Sequence, residues 1–312
     1  GETPAPHWRR DLATLGSMPW PIDYEEPVFR PPSEARSLIL QLTVGCSWNR
    51  CTYCGMYRGR DYRVRPVEDV AAEIRAAGRR APGFQRVFLA DGDALAAPFE
   101  TIETALVEIR EHLPAVTRVG IYADARAILE HGVEALARLR ELGLGIVYFG
   151  PETGDPATLK AICKGTTVAR QTEACRVVRE AGLKLSAMVL LGLAGVEGAE
   201  RHARATGRFL VEAAPTYAAA LTVTPVPGTE FFDAVEAGDI ALPDRWGMLE
   251  ELAWMLEEMA GYRGLFHANH ASNYLPLKLR MPRDREGAIE LIRTVLRDRD
   301  ESRLQPEWAR GL

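Results

Sequence analysis

The stretch Leu38-Ile39-Leu40-Gln41-Leu42-Thr43-Val44-Gly45-Cys46-Ser47-Trp48-Asn49-Arg50-Cys51-Thr52-Tyr53-Cys54 delivers an apolar run directly into three cysteines. The run, Leu38 to Val44, reads as a buried strand. Thiolates hold iron–sulfur clusters, and a cubane cluster ordinarily takes four of them. Three thiolates would leave one iron without a protein ligand, and a metal with an open position can bind a small chelating molecule. Two other readings compete. A zinc site would need a completing histidine, and none stands near the cysteines in sequence. A disulfide is disfavoured, because short C-x-x-C loops in a chain of cytosolic character serve metal or redox chemistry.

Outward from this stretch the chain alternates. Short apolar runs at Arg86 to Ala90, Arg118 to Tyr122, Gly145 to Phe149, Lys184 to Leu191 and Tyr217 to Val223 read as strands. Helical periodicity separates them near Phe99 to Glu111, Val133 to Leu142, Val168 to Ala181 and Gly198 to Ala213. A first amphipathic stretch opens at Pro66. Six strands alternating with helices predict an α/β fold with a parallel sheet, either a partial barrel or an open doubly wound sheet. From about Pro243 two more amphipathic helices are expected around a histidine-rich stretch. Trp246, Trp254 and Met255 of the first read as core, and the second runs from about Arg285 to Arg297.

Composition narrows the class. The 312 residues, 47% of them hydrophobic, can bury a sizeable core. No apolar run is long enough to span a bilayer and the start has no signal-like segment, so a cytoplasmic protein without membrane contact is expected. A net charge of −5 weighs against a general nucleic-acid binder.

The cysteine spacing resembles that of the radical S-adenosylmethionine (SAM) superfamily. The usual motif has three residues between the first two cysteines; here there are four, with the aromatic Tyr53 in its place before Cys54. The resemblance implies that Cys46, Cys51 and Cys54 ligate a 4Fe–4S cluster, that SAM chelates the remaining iron, and that Tyr53 lies near the adenine. Later segments extend it in order. Asp91-Gly92-Asp93, after the second strand, is similar to the G-G-E segment that meets the SAM amino group, although an Asp-Gly turn is a common structure in itself. Gly150-Pro151-Glu152-Thr153-Gly154 and Lys164-Gly165 resemble segments of the branch related to oxygen-independent coproporphyrinogen oxidases, where the glutamate lies near the SAM ribose. Lys164 reads either as a partner for a carboxylate or as an exposed lysine beside a glycine helix cap. The turn Gly192-Leu193-Ala194-Gly195 resembles the glycine segment that passes the adenine, and it lacks the ending of a phosphate-binding P-loop. Pro227-Gly228-Thr229 closes the series.

The resemblance implies a partial (β/α)6 TIM-like barrel over residues 37–235, an N-terminal extension over 1–36 and a C-terminal helical appendage over 236–312. It implies an oxidoreductase-like radical enzyme in which SAM is cleaved reductively to a 5′-deoxyadenosyl radical that takes hydrogen from a small or medium polar substrate. An electron donor such as flavodoxin or ferredoxin would be its partner. Two other functions stay open: a non-catalytic haem or metal carrier of the same branch, and an RNA-modifying enzyme, which Arg58, Arg60, Arg63 and Arg65 among aromatics invite. Those arginines also read as a patch that attracts an anionic substrate or docks a reductant such as flavodoxin, or as a solvated loop. Three residues outside the motifs are candidates for catalysis. Cys163, on a helical pattern, would return a hydrogen atom. His267 and His270 would donate protons or anchor substrate, their H-x-x-H spacing also suiting a metal on one helical face. For both histidines the competing reading is a turn and capping network.

Overall fold

The computed structural model describes residues 22–311. Its main sheet has eight strands in the order β1 (Leu38–Gln41), β4 (Arg86–Ala90), β5 (Arg118–Ala123), β6 (Leu144–Glu152), β7 (Lys184–Leu191), β8 (Tyr217–Thr222), β9 (Gly264–His267) and β10 (Lys278–Met281). The first seven run parallel and only β10 is antiparallel to its neighbour. Parallel strands need crossover connections, and helices supply them. They are α1 (Val67–Arg80), α2 (Phe99–His112), α3 (Ala125–Glu141), α4 (Pro156–Ala161) with α5 (Val168–Glu180), α6 (Gly195–Ala213), and α7 (Glu230–Glu236) with α8 (Arg245–Glu258). The last helix, α9 (Arg285–Asp298), follows β10.

Strand parity divides the core. Leu38, Leu40, Val87, Leu89, Val147, Phe149, Ala187, Val189, Ala218 and Phe266 are buried with the helices in one large apolar cluster. Residues of the other parity, Ile39, Phe88, Ile146 and Tyr148, form a second cluster that Tyr122 and Tyr217 join. Tyr217 lies on β8 and Ile39 on β1, so the sheet curls around this inner cluster as a partial barrel does. The strands are thus buried on both faces, which is why they read as nearly continuous apolar runs.

Three details differ from expectation. The run Leu38 to Val44 is two strands: β1 ends at Gln41, and β2 (Thr43–Val44) turns away to pair antiparallel with β3 (Arg63–Val64). That pairing closes residues 45–62 into one loop carrying the cysteines. Helix α3 begins at Ala125 and is broken at Gly132, whose φ of 70° no helix accommodates. The segment 236–312, expected as helical, does hold the two expected helices, but β9 and β10 lie between them and extend the main sheet. Residues 1–21 of the N-terminal extension lie outside the described residues. Among the described residues no helix is long and apolar enough to cross a membrane.

Candidate cluster and cofactor site

The cysteine loop is tied down at several points. The Thr52 N–H donates to Ile162 O at 3.0 Å, and Thr52 O accepts from Phe231 N–H at 3.0 Å. Arg58 donates to Cys51 O at 3.0 Å and to Cys54 O at 3.2 Å, and pairs with Glu230. Asn49 adopts a left-handed φ of 46° and donates from Nδ2 to Tyr57 O at 2.8 Å and Arg60 O at 3.2 Å. Asparagine tolerates that conformation better than most residues.

Cys46, Cys51 and Cys54 are free thiols of intermediate exposure on this loop. Burial pushes Cys51 up to about 12, against a smaller opposing pull from Lys164, and burial likewise raises Cys54. Metal ligation requires thiolates, so loading the site releases protons. Among the described residues no three His, Cys, Asp or Glu side chains converge on a single metal ion. A cluster, which takes its thiolates at separate irons, suits three thiols on one anchored loop.

Behind the loop stand the carboxylates that follow β4 and β5. Asp91 is fully buried and accepts from Gln41 Nε2 at 3.3 Å, Gly45 N–H at 3.4 Å and the Tyr57 hydroxyl at 3.4 Å. Asp93 accepts from the Ser47 hydroxyl and from the Asp124 N–H at 2.9 Å. Burial raises both carboxyls to about 6. Asp93 thus ties the cysteine loop to the start of α3, where Asp124 caps the helix. Burial also pushes Asp124 upward, but Lys164 and Arg126 outweigh it and hold the group below its ordinary value. Arg126 lies 4.4 Å from the Trp48 ring centroid, and Trp48 Nε1 donates to Cys163 O at 2.7 Å.

Glu152 closes β6 in a left-handed conformation, φ 67°, with its carboxylate folded back over Gly150. A Cβ on Gly150 would lie 2.2 Å from Glu152 Oε1, so the glycine of this segment makes room for the carboxylate. Lys164 Nζ meets that same oxygen at 3.2 Å, with side-chain exposures of 12% and 6%. Burial alone would lower Lys164, but Glu152, Cys51 and Asp124 together raise it above its ordinary value. The lysine is therefore a buried partner for a carboxylate, set beside the cysteine loop. Burial and the neighbouring Glu152 drive the Tyr53 hydroxyl well above its usual range. The Tyr53 ring packs on Ile162, Leu190, Leu193, Val223 and Phe231, an apolar shelf at the ends of β7 and β8.

The glycine turn after β7 is supported from beneath. The Gly192 N–H donates to both carboxylate oxygens of Glu251, at 3.0 and 2.9 Å. Glu251 on α8 also meets His202 Nδ1 of α6 at 2.7 Å, and both side chains are fully buried. Gly192 has φ 82°, and a Cβ there would lie 2.4 Å from the Met248 methyl. Gly195 opens α6 at φ 65°, and the following Val196 N–H donates to Ala241 O at 2.8 Å. Beyond the next strand, the Thr229 hydroxyl caps α7.

The candidates outside the motifs divide. Cys163 is exposed, at φ 52°, in the turn after α4 rather than on a helix, and its carbonyl accepts from Trp48. His267 ends β9 and His270 lies in the following turn, so no helical face carries them. His270 Nδ1 sits 3.0 Å from the Ser272 hydroxyl, in a network where Ser272 and Asn273 bind Thr222. The turn-network reading describes His270. Burial lowers both histidines, with Lys278 adding to the effect on His267. The four arginines are held within the molecule: Arg58 on the cysteine loop, Arg60 on Glu25 O and Pro27 O at 3.0 and 3.3 Å, Arg63 on Glu25, and Arg65 on Glu73 at 2.7 Å. Sequence reasoning missed Ser47, Trp48, His202 and Glu251. None sits in a repeating pattern, and each gains its role from a segment distant in sequence.

A curled parallel sheet whose strand ends gather three loop thiols, an acidic and glycine-rich rim and an apolar shelf is the arrangement expected of a barrel enzyme with a metal cluster and a nucleotide-like cofactor. Residues 40–204, more than half of the chain, match the model of the radical SAM superfamily. The chain belongs to that superfamily, whose cofactors are a 4Fe–4S cluster and SAM. It is 29% identical over 174 residues to the anaerobic magnesium-protoporphyrin IX monomethyl ester cyclase of Cereibacter sphaeroides, covering 55% of this chain and 28% of the relative. The fold matches the radical SAM methyltransferase TsrM from Kitasatospora setae at TM-score 0.52 and 21% identity, over 65% of this chain and 40% of that one. It also matches methylornithine synthase at TM-score 0.50 and 18% identity, over 74% and 63%. The chain thus spans about a quarter to a half of the length of the curated relatives it matches.

Proposed function

We propose that the chain is a radical SAM enzyme acting on a small or medium polar molecule, with Cys46, Cys51 and Cys54 as the cluster ligands. The observation that carries this reading is the buried Glu152–Lys164 pair set beside a loop that carries three free thiols, Cys46, Cys51 and Cys54. When bound there, the cluster and SAM supply one-electron cleavage of a carbon–sulfur bond and, through it, hydrogen abstraction from an unactivated substrate carbon.

The chain's own residues have distinct tasks. Lys164 offsets the negative charge gathered by the thiolates and Glu152. The Glu152 carboxylate, fixed by Lys164 and by the space over Gly150, is an acceptor for a ribose diol. Tyr53, Leu190, Leu193 and Val223 offer an apolar shelf for an adenine, and Glu251 holds the Gly192 turn beside it. Asp91 and Asp93 shape the turn around Gly92 and lend it negative charge suited to an ammonium group. Gly195 gives the turn its close entry into α6. Sequestering the site from water and holding substrate in reach are the protein's contributions to rate. Cytoplasmic residence and a flavodoxin or ferredoxin as electron donor complete the reading, as does kinship with the coproporphyrinogen-oxidase-like branch.

The test is anaerobic reconstitution followed by iron counting and a deoxyadenosine assay with SAM and a strong reductant, with Cys51→Ala alongside. About four irons per chain and cysteine-dependent deoxyadenosine release are expected. A cluster that never cleaves SAM, or stable haem binding without turnover, would overturn the reading in favour of a carrier.

A further inference from the structure

The strand registers fix which side chains share the concave face. Tyr122, Tyr148, Ser186, Tyr217 and Leu265 form one row across β5 to β9, each in register with the next. One step nearer the strands' C-terminal ends, Met188, Ala219, His267 and Lys278 form another. Ala187, Ala218 and Phe266, of opposite parity, are buried in the outer core, so both rows face the lumen. The second row lies toward the rim that carries Glu152 and Gly192.

A strap from the N-terminal side crosses the same face. The Tyr24 hydroxyl donates to Ile39 O at 2.9 Å, and Glu25 exchanges backbone hydrogen bonds with the Gln41 side chain at 2.9 and 3.1 Å. Val28 packs on the inner cluster of Ile39, Phe88 and Tyr148, Phe29 stands edge-on to Tyr57 at 5.6 Å, and the Ser33 hydroxyl lies 3.0 Å from the Tyr148 hydroxyl. Arg30 sits between these anchors. It is of intermediate exposure and has no ion pair or side-chain hydrogen bond among the described residues. Lys278 likewise has none.

Neither Arg30 nor Lys278 therefore has a counter-charge within hydrogen-bond reach among the described residues. The acid at the base of the lumen, Glu34, is taken by Arg118, Tyr148 and Ser37, and Glu152 at the rim is taken by Lys164. A partly desolvated guanidinium without a counter-charge is costly unless a ligand pairs with it. Its planar fork suits a carboxylate or a phosphate. We propose that the lumen takes a substrate bearing carboxylate or phosphate groups, met by Arg30 on the strap and by Lys278 and His267 on the sheet, over a floor of Tyr122, Tyr148 and Tyr217. This rests on the reading of the chain as a radical SAM enzyme with a small-molecule substrate.

The test is titration calorimetry on the cluster-loaded chain with SAM, using glutarate, benzoate and phenyl phosphate as probes and glutaramide, benzamide and phenol as their neutral counterparts. At least one anion should bind with Kd of about 1 mM or tighter, and its neutral counterpart at least about tenfold more weakly. Carboxylate against phosphate probes separates the two sources of charge. Arg30→Gln should weaken the bound anion about tenfold or more, and so should the charge reversal Lys278→Glu at an exposed position, with folding of each variant checked by circular dichroism. Arg297→Gln, on the outer surface of α9, serves as the control. Failure of every anion to bind, equal binding of the neutral counterpart, or unchanged affinity in both variants would overturn the proposal. Deoxyadenosine release by the unaltered chain is measured separately. Cleavage without anion binding removes this site and leaves the parent reading, whereas anion binding without cleavage removes the parent reading.

Discussion

Lys164 and Glu152 are 3.2 Å apart and nearly out of solvent, which makes their mutual dependence measurable. At an effective dielectric of about 20, two charges at that separation attract by about 5 kcal/mol. In Lys164→Met the Glu152 carboxylate stays buried with no cation, so a loss of about 3–5 kcal/mol is expected. Glu152→Gln should cost less, about 2–3 kcal/mol, because Asp124 still faces the lysine. The double variant buries neither charge, and its cost should fall short of the sum of the two by about 2 kcal/mol or more. Urea titration of the metal-free, thiol-reduced chain at pH 7.5, followed by circular dichroism, supplies all four corners of the cycle. A coupling below about 0.5 kcal/mol would refute the claim that the two side chains form a buried pair.

Asp91 and Asp93, raised to about 6 by burial, titrate near 3.8 once unfolded, so between those values the folded chain holds more protons and their contribution to stability falls as pH rises. Asp93→Asn should lift the stability of the metal-free chain at pH 7 relative to pH 4 by about 2 kcal/mol over the unaltered protein, and an unchanged pH profile would contradict the assignment. Arg58→Ala removes the donors to Cys51 O and Cys54 O, with the side chain 32% exposed. It should cost about 1 kcal/mol and speed iron loss to a chelator about fivefold, and a rate equal to that of the unaltered chain would show that the arginine does not hold the loop.

Much of this was legible in the sequence because each βα unit carries its own signal. Apolar runs such as Lys184 to Leu191 and helical periodicity such as Val168 to Ala181 are local, and the observed elements match them within a few residues. The three cysteines and the Gly150 to Gly154 segment were equally readable as candidates, since close spacing puts the cysteines on one loop and the segment at one strand end. What escaped depends on pairing between remote segments. Val44 leaves the sheet only because Arg63 is there to receive it. The strands β9 and β10 are four residues each, and the histidines at the end of β9 and in the turn after it are spaced like a helix. Lys164 read equally well as a solvated residue until Glu152 folded back to meet it. Glu251 lay within a helix whose aromatics and methionines drew the eye to the core. Nothing local says that its carboxylate reaches an amide 59 positions away.

That reach has a consequence for where the molecule can be divided. Residue 235, the end of the expected barrel unit, lies in the last turn of α7, and a cut there would leave an apparently complete set of six strands. It would also remove both oxygens that hold the Gly192 amide and the partner of His202 Nδ1, and would expose the edge of β8 that β9 covers. His202 is fully buried and its Nε2 has no partner among the described residues, so it depends on Glu251 for its one polar contact there. The chain therefore has no seam at the point where the barrel seems to end. The tail is part of the support beneath the Gly192 turn, and the two are expected to unfold as one unit.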